Sequence, residues 1–176
     1  MITHLDGLVL LTPTKHGDER GFFMETYRAD AWAAQGVPTD FVQDNQSRSR
    51  RGTVRGMHFQ TSPGQGKLVR VARGRVLDVV VDIRRDSPTF GQWESFELDD
   101  EGAQQLWIPV GFAHGFCVLS DVADFVYKVT SYFDPATESG FSFADPEVGI
   151  EWPDGELIYS ERDRDAPRLS EIDTPF

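Results

Sequence analysis

Short runs of alternating apolar and polar residues, about ten residues apart, occupy the middle of this chain. The clearest is "RVLDVVVDI", residues 75–83, which predicts a β-strand. Asp78, Val80 and Asp82 share one face of that strand, so we expect this face to meet polar groups. We expect both aspartates to be structural residues that pair with nearby arginines. The opposite face, which we expect in the core, carries Leu77, Val79, Val81 and Ile83.

Similar runs predict further strands, separated by turns rich in Gly, Pro, Asp and Ser. "RADAWAAQG" predicts one short helix, with Asp30 as its N-cap and Gly36 at its end. From Asp134 onward the composition predicts loops and short helical turns. This spacing is typical of sandwiches and barrels, so we predict one all-β domain over residues 1–176 that encloses a cavity. The predicted strands are Gly21–Tyr27, Phe41–Asn45, Thr53–Phe59, Lys67–Val71, Arg75–Ile83, Trp93–Leu98, Gln104–Ile108, His114–Leu119 and Asp124–Thr130.

The charge of the chain is unevenly distributed. Its formal net charge of −12 argues against nucleic acid or an anionic membrane as a partner. Nevertheless, ten of its 17 Lys and Arg residues lie between Arg48 and Arg85, where Asp78 and Asp82 are the only acids. We therefore expect a local anion site, formed by three or four of these ten cations.

Nothing in the sequence predicts a membrane span or an export signal. No apolar run approaches the roughly 20 residues that cross a bilayer, and the first residues lack a basic start and a small-residue cleavage site. The single cysteine, Cys117, cannot form an internal disulfide and is expected to be a small core residue. These features predict a cytoplasmic protein.

His58 lies in "RGTVRGMHFQ", residues 51–60, and three roles are open to it: metal ligand, catalytic base or packed core residue. Ligand counting disfavours a metal, because only His114 offers a second usable imidazole and no carboxylate lies close by in sequence. Glycine-rich nucleotide motifs and nucleophile signatures are absent. The remaining chemistry is acid–base catalysis assisted by Lys and Arg, which suits proton abstraction next to a carbonyl.

Longer stretches of the chain carry a resemblance that covers most of its length. They are "DERGFFMETY" (18–27), "FVQDNQSRSRRGTVRGMHFQ" (41–60), "KLVRVARGRVLDVVVDIRRDSPTFGQW" (67–93), "LWIPVGFAHGFCVLS" (106–120), "YKVTSYFDPATESG" (127–140), "DPEVGIEWP" (145–153) and "SERDRDAP" (160–167). In this order they closely resemble the dTDP-4-dehydrorhamnose 3,5-epimerase family.

The resemblance implies a cupin-type jelly roll, that is, a double-stranded β-helix barrel with a few short helices and a loop-rich C-terminal segment. "PVGFAH" (109–114) is similar to half of the cupin signature, whereas "MHF" stands where the other half would have two histidines. The family uses no metal or other cofactor, is homodimeric and binds a dTDP-sugar. The implied reaction inverts C3 and C5 of dTDP-4-dehydro-6-deoxy-D-glucose, giving dTDP-4-dehydro-L-rhamnose, a step of dTDP-L-rhamnose biosynthesis.

The same resemblance implies roles for individual residues. His58 corresponds to the base, Asp163 to the carboxylate that orients it, Tyr127 to the proton donor across the ring and Lys67 to the lysine near the C4 oxygen. Further positions match family contacts to the nucleotide sugar: Arg20, Glu25, Gln43, Asp44, Asn45, Arg55, His114, Glu138 and Arg162.

Two other functions stay open. One is epimerisation of only C3, or only C5, of a related dTDP-4-keto-6-deoxy sugar, since relatives that epimerise only C3 carry nearly the same residues. The other is a non-catalytic sugar-nucleotide-binding cupin, which would share the fold.

A geometric question also stays open, because simple alternation puts Arg55 and His58 on opposite faces of their strand. Either a bulge at Gly56 redirects one side chain, or Arg55 reaches a ligand over the strand edge or from a neighbouring subunit.

Overall fold

The computed structural model describes residues 3–176. The strands are β1 (Val9–Leu11), β2 (Lys15–Asp18), β3 (Gly21–Met24), β4 (Gln43–Arg50), β5 (Val54–Gln60), β6 (Lys67–Arg73), β7 (Arg75–Asp82), β8 (Trp93–Asp99), β9 (Gln105–Ile108), β10 (Phe112–Val118), β11 (Val122–Val129) and β12 (Glu138–Gly140). Two five-stranded antiparallel sheets form the body, with strand orders β1-β9-β6-β11-β4 and β12-β5-β10-β7-β8, and β2 and β3 form a separate hairpin. This is the predicted all-β jelly roll.

Helical structure is sparse. Helix α1 spans Ala29–Ala33, α2 spans Glu161–Arg164, and a single 3-10 turn spans Leu169–Glu171. No helix within residues 3–176 has the length and apolar character to cross a membrane.

Three buried clusters divide the core. The inner cluster, between the sheets, includes Val80, Phe116 and Phe125. A second cluster lies outside the β5-β10-β7 sheet. There the C-terminal segment, residues 141–176, packs Phe141 and Leu169 against the sheet. The third lies under α1, outside the other sheet. Burial of apolar side chains in these three layers is the main force that holds the barrel together.

Strand β7 is confirmed, but our expectation for its faces was incomplete. Val79 and Val81 pack under the C-terminal segment, and Val76 and Val80 pack between the sheets, so both faces are buried. Asp78 therefore lies among apolar side chains inside the barrel rather than at a polar surface.

Two other predictions need correction. Strand β4 begins at Gln43 and runs to Arg50, further than predicted, because its polar residues alternate between a half-buried and an exposed face without an apolar signal. Helix α1 has Arg28, not Asp30, at its N-cap position. The Asp30 carboxylate instead forms an ion pair with the Arg28 guanidinium, with an N–O distance of 2.7 Å.

A β-bulge interrupts the pairing of β5 with β10. His58 is opposite His114 and Arg55 is opposite Phe116, so three steps on β5 match two on β10. Gly56 has φ +149°, and a Cβ there would lie 2.6 Å from the Gly115 Cα. Of the alternatives left open by the sequence, the structure has the bulge at Gly56, and this bulge requires a residue without a side chain.

We predict that Gly56→Ala lowers the free energy of unfolding by about 3 kcal/mol, since it combines an unfavourable φ with a backbone clash. Urea unfolding followed by fluorescence measures this change. Gly155→Ala is the matched control, because Gly155 has φ +121° but a Cβ there would meet nothing within 4 Å; we expect it to cost about 1 kcal/mol. Equal costs at the two positions would contradict the packing argument.

Candidate active site

A cavity of about 510 Å³ opens between the sheets, next to the bulge. Strands β5, β6, β10 and β11 form its walls, and the C-terminal segment forms one side of its rim. Val54 anchors that segment, because its N–H donates to the Ile158 carbonyl at 2.8 Å. Among the lining residues are Arg55, His58, Lys67, His114, Tyr127, Glu138, Arg162 and Asp163.

His58 and Asp163 form a close pair at one side of this cavity. The His58 Nε2 lies 2.7 Å from an Asp163 carboxylate oxygen. Asp163 is fixed because it lies in α2, where its N–H donates to the Oγ of the N-cap residue Ser160. Burial raises the pKa of Asp163, but the hydrogen bond and charge of His58, with smaller effects of Ser160 and Arg162, outweigh it and hold the pKa below its usual value. The carboxylate is thus ionised beside the imidazole at neutral pH.

Lys67, at the start of β6, reaches the same region. Its Nζ donates to the backbone carbonyl of His58 at 3.3 Å. Burial lowers the pKa of Lys67 to about 8, although the charges of Glu138 and Asp78 oppose this effect. An ammonium group that is poorly solvated and close to its titration point interacts strongly with any anion that forms in the cavity.

Tyr127 lies on β11, across the barrel from β5, and packs partly against the inner cluster. Burial raises the pKa of its hydroxyl, the Glu138 charge raises it further, and Arg55 acts in the opposite direction. The phenol therefore keeps its proton at neutral pH. Tyr127 lines the cavity, where its hydroxyl can bond to a molecule that occupies it.

The bulge explains why Arg55 and His58 line one cavity. Arg55 is directed along the wall, where its Nε donates to the Ser49 hydroxyl at 3.2 Å. Arg162, next to Asp163, donates to Glu138 at 2.6 Å across the rim. Of the ten clustered cations, only Arg55 and Lys67 line this cavity, fewer than the three or four expected. The third cation of the cavity, Arg162, belongs to the C-terminal segment.

The two β7 aspartates have different partners. Asp82 binds Arg84 at 2.7 Å, as predicted. Asp78 does not pair with an arginine: its carboxylate lies 2.8 Å from the His114 Nε2, inside the barrel. The prediction for Asp78 was wrong because Asp78 lies in the middle of β7, inside the barrel, whereas Asp82 is the last residue of the strand and reaches Arg84 just beyond it.

The other sequence-predicted contacts lie outside the main cavity. Gln43 and Asn45 line an adjoining cavity of about 300 Å³ together with Phe133, which our sequence reasoning did not single out. Asp44 lies on the outer face of β4, where it binds Lys128 at 2.9 Å. Arg20, in the β2–β3 turn, and Glu25, just after β3, line neither of these two cavities. Arg20 pairs with Asp18, and Glu25 lines a groove beside α1.

No group of three or more His, Cys, Asp or Glu residues suited to a metal ion occurs in the described range 3–176.

A jelly-roll barrel whose cavity holds a histidine–carboxylate pair, a lysine and a tyrosine defines a cupin-type enzyme as the class of protein, with side chains that are capable of proton transfer. The sequence model of the dTDP-4-dehydrorhamnose 3,5-epimerase family matches residues 2–171. The chain belongs to this family and is an epimerase.

Individual relatives cover nearly the whole chain. A dTDP-4-dehydrorhamnose 3,5-epimerase of Pseudomonas aeruginosa is 50% identical over 169 residues, which span 94% of this chain and 93% of that protein. A dTDP-4-dehydrorhamnose 3-epimerase of Streptomyces niveus is 45% identical, over 95% of this chain and 82% of that protein. The crystal structure of a Legionella pneumophila dTDP-6-deoxy-D-glucose-3,5-epimerase in complex with dTDP-4-keto-L-rhamnose superposes with a TM-score of 0.94 at 49% identity, over 97% of this chain and 92% of that chain.

We predict that Glu138→Gln lowers the pKa of Lys67 further below its value of about 8, because it removes a carboxylate that favours the ammonium form. An NMR titration of the lysine side chains measures the change. Glu97→Gln is the control, since Glu97 also pairs with an arginine, Arg75 at 3.0 Å, but lies on β8 outside the cavity. An unchanged Lys67 pKa in Glu138→Gln would contradict the electrostatic coupling.

Proposed function

We propose that this epimerase inverts both C3 and C5 of dTDP-4-dehydro-6-deoxy-D-glucose and forms dTDP-4-dehydro-L-rhamnose. One observation carries the proposal: the His58–Asp163 pair and the Tyr127 hydroxyl line one cavity from different strands, with Lys67 beside them. Family membership supports the substrate class, because a related structure contains dTDP-4-keto-L-rhamnose.

In the proposed mechanism, the C4 ketone acidifies the C–H bonds at both neighbouring carbons. His58 removes the proton from one face, and the electron pair of the C–H bond moves into the ketone to form an enolate. Asp163 stabilises the imidazolium that results, and the ammonium of Lys67 stabilises the enolate oxygen.

Tyr127 then donates its proton to the same carbon from the opposite face of the ring, which inverts the centre. The tyrosinate regains a proton and the imidazolium loses one to solvent, so each inversion is balanced. Repetition at the second carbon completes the reaction.

Binding of the nucleotide is proposed to use the remaining polar residues. Arg55 and Arg162 supply guanidinium groups that suit paired diphosphate oxygens. His114 and Glu138 face the sugar, while Gln43 and Asn45 line the adjoining cavity, which is large enough to extend the site towards the nucleoside.

We also propose that the protein is a homodimer and that the β2–β3 hairpin completes the site of the second copy. Arg20 and Glu25, which the family resemblance assigns to the substrate, lie away from the cavity of their own chain. The hairpin also exposes 60% of Phe22 and 68% of Phe23, an apolar surface suited to an interface.

We also propose that the enzyme is cytoplasmic, because the free thiol of Cys117 suits a reducing compartment.

Epimerisation of C3 alone is the second candidate, favoured by the 45% identity to a 3-epimerase. The non-catalytic alternative has little support, since the proposed base and acid are both present in the cavity.

An exchange experiment separates the three functions. In deuterated water, with dTDP-4-dehydro-6-deoxy-D-glucose as substrate, we expect NMR to show deuterium incorporation at both C3 and C5. Exchange at C3 alone would establish the mono-epimerase instead. No exchange, combined with binding of dTDP, would establish the non-catalytic module.

We predict that His58→Asn slows exchange at both carbons by about 10²- to 10⁴-fold, the usual contribution of a general base. Binding of dTDP, measured by calorimetry, should remain close to that of the unmodified protein, because the substitution leaves Arg55 and Arg162 in place. His4→Asn is the control, since His4 is exposed and lies outside the cavity. Survival of exchange in His58→Asn would show that another group is the base.

A further inference from the structure

A second histidine–carboxylate pair lies deeper in the barrel than His58 and Asp163. The His114 Nε2 is 2.8 Å from the Asp78 carboxylate, and the two side chains are 8% and 0% exposed. Their strands, β10 and β7, are neighbours in one sheet. The pair is therefore built into the rigid part of the fold rather than into a loop.

The two members of this pair have different access to the cavity. His114 lines it, and its backbone is directly opposite that of His58. Asp78 is not among the lining residues, and its carboxylate bonds to His114, which is. On its other side, the His114 ring stacks on Phe125, with the ring centroids 5.8 Å apart.

The hydrogen bond to Asp78 determines which nitrogen of His114 can bond to a ligand. Nε2 is occupied by Asp78, and Nδ1 has no hydrogen-bond partner within residues 3–176. When Asp78 is a carboxylate, it accepts a hydrogen bond from Nε2–H, which fixes the tautomer of the neutral ring. Nδ1 is then the atom that His114 presents to a substrate oxygen.

A role in stability alone does not account for Asp78. The residues two positions away on the same face, Val76 and Val80, are apolar and fully buried. One Asp78 oxygen is buried without a partner within residues 3–176, and burial raises the pKa of this carboxyl, against the opposing effects of His114 and Lys67. Apolar residues commonly replace such buried pairs without loss of stability.

We propose that Asp78 is a positioning residue for the epimerase reaction: it orients the His114 ring and reserves Nδ1 for an oxygen of the keto-sugar. This inference rests on the proposed function, because it assigns His114 to the reacting sugar ring. Asp78 itself does not touch the substrate.

Asp78→Val tests this assignment, because valine fits the apolar surroundings but cannot orient the ring. We expect kcat to fall about 10- to 100-fold, as when the partner of a functional histidine is lost. The affinity for dTDP, which lacks the keto-sugar that His114 is proposed to contact, should stay within about twofold. Asp78→Asn should recover part of the rate, since its amide oxygen can accept the same hydrogen bond. Full activity of Asp78→Val would overturn the proposal.

Asp82→Asn is the matched control. Asp82 is also a fully buried carboxylate of β7, but it binds Arg84, Ser87 and Thr89 away from the cavity. We expect Asp82→Asn to lower the thermal midpoint and leave kcat unchanged. An equal loss of kcat in both variants would show a general effect of buried charge and overturn the assignment.

Two further measurements make the test independent of folding and of the reaction. In the His114→Ala background, Asp78→Val should cause no additional loss of rate; additive losses would contradict a shared function. In the unmodified protein, dTDP-L-rhamnose should shift the ¹⁵N resonance of the His114 Nδ1 more than that of Nε2, and an unmoved Nδ1 would overturn the proposal even if Asp78→Val does not fold. Failure of the unmodified protein to exchange deuterium would instead refute the proposed function.

Discussion

One extra residue in strand β5 is the constraint on which the candidate site depends. Regular alternation would separate Arg55 and His58 onto opposite faces, whereas the bulge at Gly56 turns both towards the cavity. The bulge also lets the backbone of β5 approach Gly115 of β10 closely. A cation and an imidazole therefore line one cavity, and they do so on a paired strand, which positions side chains more rigidly than a loop would.

The sheet that contains β5, β10 and β7 also explains how polar side chains are held inside an apolar barrel. Its outer face is covered by the C-terminal segment, which buries Phe141 and Leu169 against Val79 and Val81. Its inner face holds the two His–carboxylate pairs, and each carboxylate is supplied from outside the strand of its histidine. Poor solvation then has two consequences: the ammonium of Lys67 becomes easier to deprotonate, and the phenol of Tyr127 becomes harder to deprotonate.

Local sequence patterns predicted a large part of this fold, and physical reasons account for the rest. Strand β7 was predictable from its alternation. The bulge was only one of the alternatives for the conflict between Arg55 and His58, a conflict that arose from the family resemblance. Strand β4 was poorly bounded because its polar residues carry no apolar signal. The partners Asp163 and Asp78 could not be derived from spacing, since they lie 105 and 36 residues from their histidines. Only the family resemblance suggested Asp163, and nothing in the sequence suggested that Asp78 meets His114.

The C-terminal segment links the stability of the barrel to the geometry of the site. Its residues pair with β5 at two places: Ile158 bonds to Val54, and Phe141 exchanges backbone hydrogen bonds with Met57. Only Tyr159 and Ser160 separate Ile158 from the helix that holds Asp163, so the position of the carboxylate follows the position of this contact. A substitution that weakens the packing of the C-terminal segment would therefore displace Asp163 from His58 before it unfolds the barrel. The reason is that the inner cluster contains no residue of this segment.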